Sequence, residues 1–138
     1  MIIVVSGGFD PLHSGHISMF RQAHFFGEVW AIVNTDKWLQ RKKGFVMLPY
    51  KERSKIVSST QFIYKVIRAK DNDGTVVNSL KDINKPFAFA NGGDRVPTTT
   101  PEMEYCLKNN IPMLFNIGGK KTMSSSNIAR KLLDQAKK

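Results

Sequence analysis

Four apolar, mostly β-branched residues, Ile2-Ile3-Val4-Val5, run directly into the glycine-rich stretch Ser6 to His16, SGGFDPLHSGH. A helical pattern then follows through Ile17, Phe20 and Ala23. The apolar run has the length and branching of a buried strand. Gly7 and Gly8 let other groups approach the backbone, and Pro11 fixes a rigid turn. This strand, turn and helix commit the chain to a βα unit. If the helix begins near Ser14, His13 and His16 lie on one side of its first turn, beside free N–H groups and the positive end of the helix dipole. Backbone donors, a dipole and two imidazoles aimed at one place suit a polyphosphate. The plainer alternative is a strand-to-helix turn with two polar surface histidines.

The alternation continues. Strands are predicted at 29–33, 63–67, 87–90 and 112–117, and helices at about 50–60, 75–83, 101–109 and 124–136. The first helix stops near Gly27, Thr75 is the expected cap of the third, and Pro101 suits the first turn of the fourth. A polar loop carrying Lys42 and Lys43 is expected after the second strand. The pattern predicts an α/β protein, a Rossmann-like doubly wound five-stranded parallel sheet, with residues 1–138 forming one domain. Such sheets bind ligands beyond the carboxyl ends of their strands, where the strand order reverses. The turn at His13 to His16, the segment with Lys42 and Lys43, and Gly92 to Arg95 all follow strands, so they should converge on one edge.

Three further groups stand beside bland alternatives. Gly92-Gly93-Asp94 lets a backbone approach a ligand and presents a carboxylate, or is a plain turn. Ser124, Ser125 and Ser126 open the last predicted helix and offer hydroxyl donors to a phosphate, or are redundant caps. Lys42, Lys43 and Arg53 are phosphate ligands or solvated charge.

With 21 Lys and Arg against 11 Asp and Glu, the net charge is +10, which calls for anionic partners. The cations are scattered rather than blocked, which favours small anionic substrates over nucleic acid. The single Cys106 excludes an internal disulfide and reads as a small buried hydrophobe. No apolar run reaches a membrane span and no signal-peptide pattern opens the chain, so we expect a cytoplasmic protein without a membrane partner.

Gly8-Phe9-Asp10 followed by His13-Ser14-Gly15-His16 resembles the H-x-G-H motif of the nucleotidyltransferase superfamily that includes the cytidylyltransferases. Met123-Ser124-Ser125-Ser126-Asn127-Ile128 is similar to that family's second signature, far downstream. Val33-Asn34-Thr35-Asp36, Lys43-Gly44 and Gly92-Gly93-Asp94 look most like the glycerol-phosphate cytidylyltransferase and heptose-1-phosphate adenylyltransferase branches. Other features also look like the pantetheine-phosphate and nicotinate-mononucleotide adenylyltransferases. The chain departs from the pattern at Arg95, where an aromatic residue is usual, and at Lys120 and Lys121, where the glycerol-phosphate branch has an arginine.

The resemblance implies an enzyme that joins a nucleoside triphosphate to a phosphorylated alcohol or sugar and releases pyrophosphate. The acceptor phosphate attacks in line, so no protein nucleophile is needed, and catalysis is positioning and charge stabilisation. Gly7, Gly8, Phe9, Asp10, His13, His16, Gly92, Gly93, Asp94 and Ser124 to Ser126 would form the nucleotide site. Lys43 or Lys42 would neutralise the acceptor and the α-phosphate, with Arg53 in support. Mg²⁺ is expected on the phosphates, with Asp10 as a candidate ligand. The resemblance also suggests a homodimer through 98–105. CTP is favoured over ATP. The competing expectations are an adenylyltransferase acting on a sugar phosphate or phosphopantetheine, a nucleotide sensor without turnover, and a nucleic-acid-binding module. A dehydrogenase is disfavoured because the first turn lacks G-x-G-x-x-G.

Overall fold

The computed structural model describes residues 1–92 and 100–117. In chain order the elements are β1 (Ile2–Gly7), α1 (Ser14–His24), β2 (Glu28–Val33), α2 (Asp36–Lys43), α3 (Tyr50–Ser58), β3 (Ile63–Arg68), α4 (Val77–Lys81), β4 (Phe87–Gly92), α5 (Pro101–Lys108) and β5 (Met113–Ile117). The five strands form one sheet in the order β3-β2-β1-β4-β5, every neighbouring pair parallel. The order reverses between β1 and β4, as expected of a doubly wound sheet. The helix predicted at 124–136 lies outside the described residues.

β1 is central because both of its faces are apolar. Ile3 and Val5 pack with Phe20 and Ala23 of α1 and Val57 of α3. Ile2 and Val4 turn to the other face, among Leu80 of α4 and Cys106 of α5. Alternate residues of one strand thus feed two cores, which is why the run carries no polar residue. Cys106 has no exposed surface, and burial pushes its thiol up to about 11, with the Glu102 carboxylate adding to the rise.

Two expectations are corrected. Lys42 and Lys43 stand on a helix, α2, not on a polar loop. Thr35 caps it, accepting the Trp38 N–H at 3.2 Å, and Gly44 ends it in the left-handed region at φ 84°. α4 is shorter than predicted. It begins at Val77, whose N–H reaches the Thr75 hydroxyl at 3.3 Å while that hydroxyl donates to Asp73. Thr75 therefore serves the preceding turn as much as the helix.

Candidate functional site

The β1–α1 turn is built by packing as much as by polar geometry. Phe9 takes a left-handed φ of 53° and drives its ring into the core, edge-on to His16 at 5.0 Å and to Phe20 at 5.5 Å. A Cβ on Gly7 would sit 3.1 Å from the Phe9 ring, so the first glycine makes room for that side chain. Gly8 lies under α2, where a Cβ would meet Leu39 Cδ2 at 2.7 Å. Phe9, expected at the nucleotide, is a core residue that supports the His16 ring.

His13 is the N-cap of α1 and His16 its third residue. His13 Nδ1 accepts the Gly15 N–H at 3.1 Å, and His16 Nδ1 accepts the His13 N–H at 3.1 Å. The two imidazoles form a reciprocal capping box and stack with ring centroids 3.8 Å apart. With each Nδ1 lone pair committed to a backbone donor, the proton of each neutral ring sits on Nε2. Both rings are therefore hydrogen-bond donors at a positive helix end. Gly15 is required between them, since a Cβ there would lie 2.9 Å from His13 Cε1.

Asp10 is only 1% exposed, and its two oxygens accept the Met47 N–H at 2.8 Å and the Leu48 N–H at 2.7 Å. Instead of facing a metal, it ties the segment before α3 across the β1–α1 turn. Among the described residues no group of three or more His, Cys, Asp or Glu is placed to hold a metal ion. Asp10, the candidate ligand, has both oxygens committed to backbone amides.

Arg53 departs furthest from expectation. It has no exposed surface. Its Nε donates to Leu48 O at 2.8 Å, its Nη1 to Gly8 O at 2.7 Å and Asn34 O at 2.8 Å, and its Nη2 to Asp36 at 2.6 Å. One guanidinium thus cross-links the turn after β1, the end of β2, the start of α2 and the entry to α3. It organises the site from beneath, with no exposed surface of its own. The lysines separate as well. Lys43 Nζ lies 3.5 Å from the Asp10 carbonyl, at the turn, whereas Lys42 Nζ lies over the Trp38 ring, 5.8 Å from its centroid.

The sequence reading placed Thr35 in a family-like segment but gave it no role, and it gave none to Asp71 or Trp38. Asp71, buried at 1%, accepts Asn34 Nδ2 at 3.1 Å, the Thr35 N–H at 2.9 Å and the Thr35 hydroxyl at 2.8 Å. Trp38 Nε1 donates to Gly74 O at 3.1 Å. A cleft of about 350 Å³ opens there, lined by Trp38, Arg41, Lys42, Asn72, Asp73 and Gly74. The Thr75 N–H holds the Asp73 carboxyl below its usual range. The available signal was a polar Asp-Asn-Asp-Gly turn following a strand, on the edge that already carried the histidines.

All these groups stand at the carboxyl ends of β1, β2 and β3. Gly92 ends β4 on the same edge, paired with Ile117. Gly93, Asp94, Ser124, Ser125 and Ser126 lie outside the described residues. No helix among those described is long and apolar enough to cross a membrane.

A family model described as cytidylyltransferase-like matches residues 4–131. The bifunctional protein HldE of Pelobacter propionicus is 27% identical over 140 residues, covering 97% of this chain and 27% of that protein. The FAD synthase of Methanococcoides burtonii is 31% identical over 83 residues, 59% of this chain and 56% of its own length. The chain thus spans about a quarter of the one relative and a little over half of the other. Among solved structures, the lipopolysaccharide core biosynthesis protein from Thermoplasma volcanium superposes with a TM-score of 0.68 at 20% identity, over 84% of this chain and 95% of that one. That likeness concerns the fold.

Proposed function

The chain belongs to the cytidylyltransferase-like family of nucleotidyltransferases, and from that premise we propose that it transfers a nucleoside monophosphate from a triphosphate to a phosphorylated small molecule, releasing pyrophosphate. The observation that carries this reading is the pair of imidazoles capping α1 at the carboxyl end of the central strand, each with its Nδ1 accepting a backbone N–H and its Nε2 left to donate. They supply directional donors and a helix dipole where negative charge builds up on the leaving pyrophosphate. Lys43, beside the same turn, neutralises the attacking phosphate as it approaches the α-phosphorus. Lys42 is the outer cation, and Arg53 with Asp10 holds the frame. Mg²⁺ bound with the triphosphate would supply charge neutralisation on the phosphates, and Asp10, whose oxygens accept the Met47 and Leu48 amides, would serve the frame.

The sequence reading favours CTP as donor. FAD synthase is named for an adenine-containing product, and on that support we take ATP as the donor and a sugar phosphate or flavin phosphate as the acceptor. The test is a pyrophosphate-release screen of the four nucleoside triphosphates against sugar phosphates, alcohol phosphates, FMN and phosphopantetheine. Release with ATP and one acceptor class is expected. Release with CTP alone overturns the choice of base, and silence with every triphosphate overturns the reaction.

A further inference from the structure

We infer that Asp71 is a positioning residue that sets Lys43 through α2, an inference that rests on the role proposed for Lys43. α2 has eight residues, about 12 Å of helix, too short to hold its own shape or direction in water. Its placement therefore comes from its anchors: the Arg53 guanidinium holds Asp36 from beneath, and the others converge on the turn after β3. The Asp71 carboxylate grips Thr35 twice, at the backbone N–H and the hydroxyl, and takes Asn34 Nδ2 as well. Thr35 in turn caps the helix at Trp38 and accepts the Leu39 N–H through its carbonyl. One turn on, Trp38 Nε1 donates to Gly74 O, and Arg41 donates to the carbonyls of Asp71 and Asn72. Of the anchors from the turn after β3, the Asp71 carboxylate is the buried charge, and it acts at the helix start, where a small rotation is magnified along the axis. Lys43 is the last residue of α2, and its Nζ lies 3.5 Å from the Asp10 carbonyl in the β1–α1 turn. A misplacement of about 1 Å at such a group costs on the order of 100-fold in rate.

The experiment combines Asp71→Ala, Lys43→Ala and their double variant with hydrogen exchange. In the parent background Lys43→Ala should lower kcat/KM by about 100-fold, and in the Asp71→Ala background by less than about 5-fold, because the lysine is already out of place. Exchange at the Trp38 and Leu39 amides should quicken at least 10-fold more than at the β1 amides, which report the change in global stability. If Asp71→Ala does not fold, Thr35→Val removes the hydroxyl at the centre of the same grip and is scored by the same two readouts. Equal losses from Lys43→Ala in both backgrounds, or unchanged α2 exchange, overturn the inference. A parent enzyme silent in the pyrophosphate screen overturns the function instead, and the exchange data then decide alone whether Asp71 holds α2.

Discussion

Replacing Arg53 by alanine separates a structural role from phosphate binding. The substitution removes donors from three carbonyls, those of Leu48, Gly8 and Asn34, at 2.7–2.8 Å, and from Asp36 at 2.6 Å. Hydrogen bonds from a charged group contribute roughly 1.5–3 kcal/mol each. They do not add, because relaxation and entering water re-satisfy part of the loss. The Asp36 side chain is 47% exposed, so its ion pair is screened and adds little. Breaking a buried, charged network of this kind costs about 4 kcal/mol. For a chain of 138 residues that is a fall of roughly 12–16 °C in Tm. Lysine, with one nitrogen, cannot reach acceptors spread over four segments and should recover less than half of the loss. Urea and thermal unfolding of the parent, Arg53→Ala and Arg53→Lys measure this directly. A phosphate-contacting arginine would lower activity and leave stability within about 1 kcal/mol. That outcome would refute the buried role assigned to Arg53.

Three further outcomes are expected. His16→Ala should lower nucleotidyl transfer by ~10²–10³ and stability by about 1 kcal/mol, since it deletes the acceptor of the His13 N–H; steady-state kinetics and melting on the same sample check both. Gly27→Ala would place a Cβ 1.8 Å from the Met1 carbonyl oxygen, so the start of β1 must move, and a loss of roughly 2 kcal/mol or more in urea unfolding is predicted. Cys106, with its thiol raised to about 11, stays protonated at pH 8; a thiol reagent should modify it at least 100-fold faster in 6 M guanidinium than in the native protein.

The sheet was readable because each strand is a short apolar run set off by turn residues, and the histidine pair because its spacing is tied to a strand-to-helix turn. α2 was not, since Asp36–Lys43 offers only Trp38 and Leu39 as apolar residues, too few for a helical period. Its real signals were at its ends, Thr35 as a cap and Gly44 as a left-handed stop. Arg53 shares the buried face of α3 with Val57, four residues on, yet nothing local distinguishes it from Lys51 or Lys55. Its burial is decided by Gly8, Asn34, Asp36 and Leu48, and such long-range closure leaves no periodic trace. Asp10 and Phe9 were read as ligand-facing because they stand in the right turn. Whether a turn residue points outward or into the core depends on the segment that crosses it, here Met47 and Leu48.

β1 has neighbours on both edges and helices over both faces, and Ile3 to Val5 have no exposed surface. Regions of that kind exchange only on global unfolding. The turn holding both imidazoles leaves this strand without a hinge and is pinned by the Phe9 ring, the Asp10 bonds and the Arg53 guanidinium. An incoming anion therefore meets donors that are already ordered, and its affinity is not taxed by freezing a loop. Binding at this turn should carry little change in heat capacity, and β1 amides should gain protection only by the amount that the ligand adds to global stability.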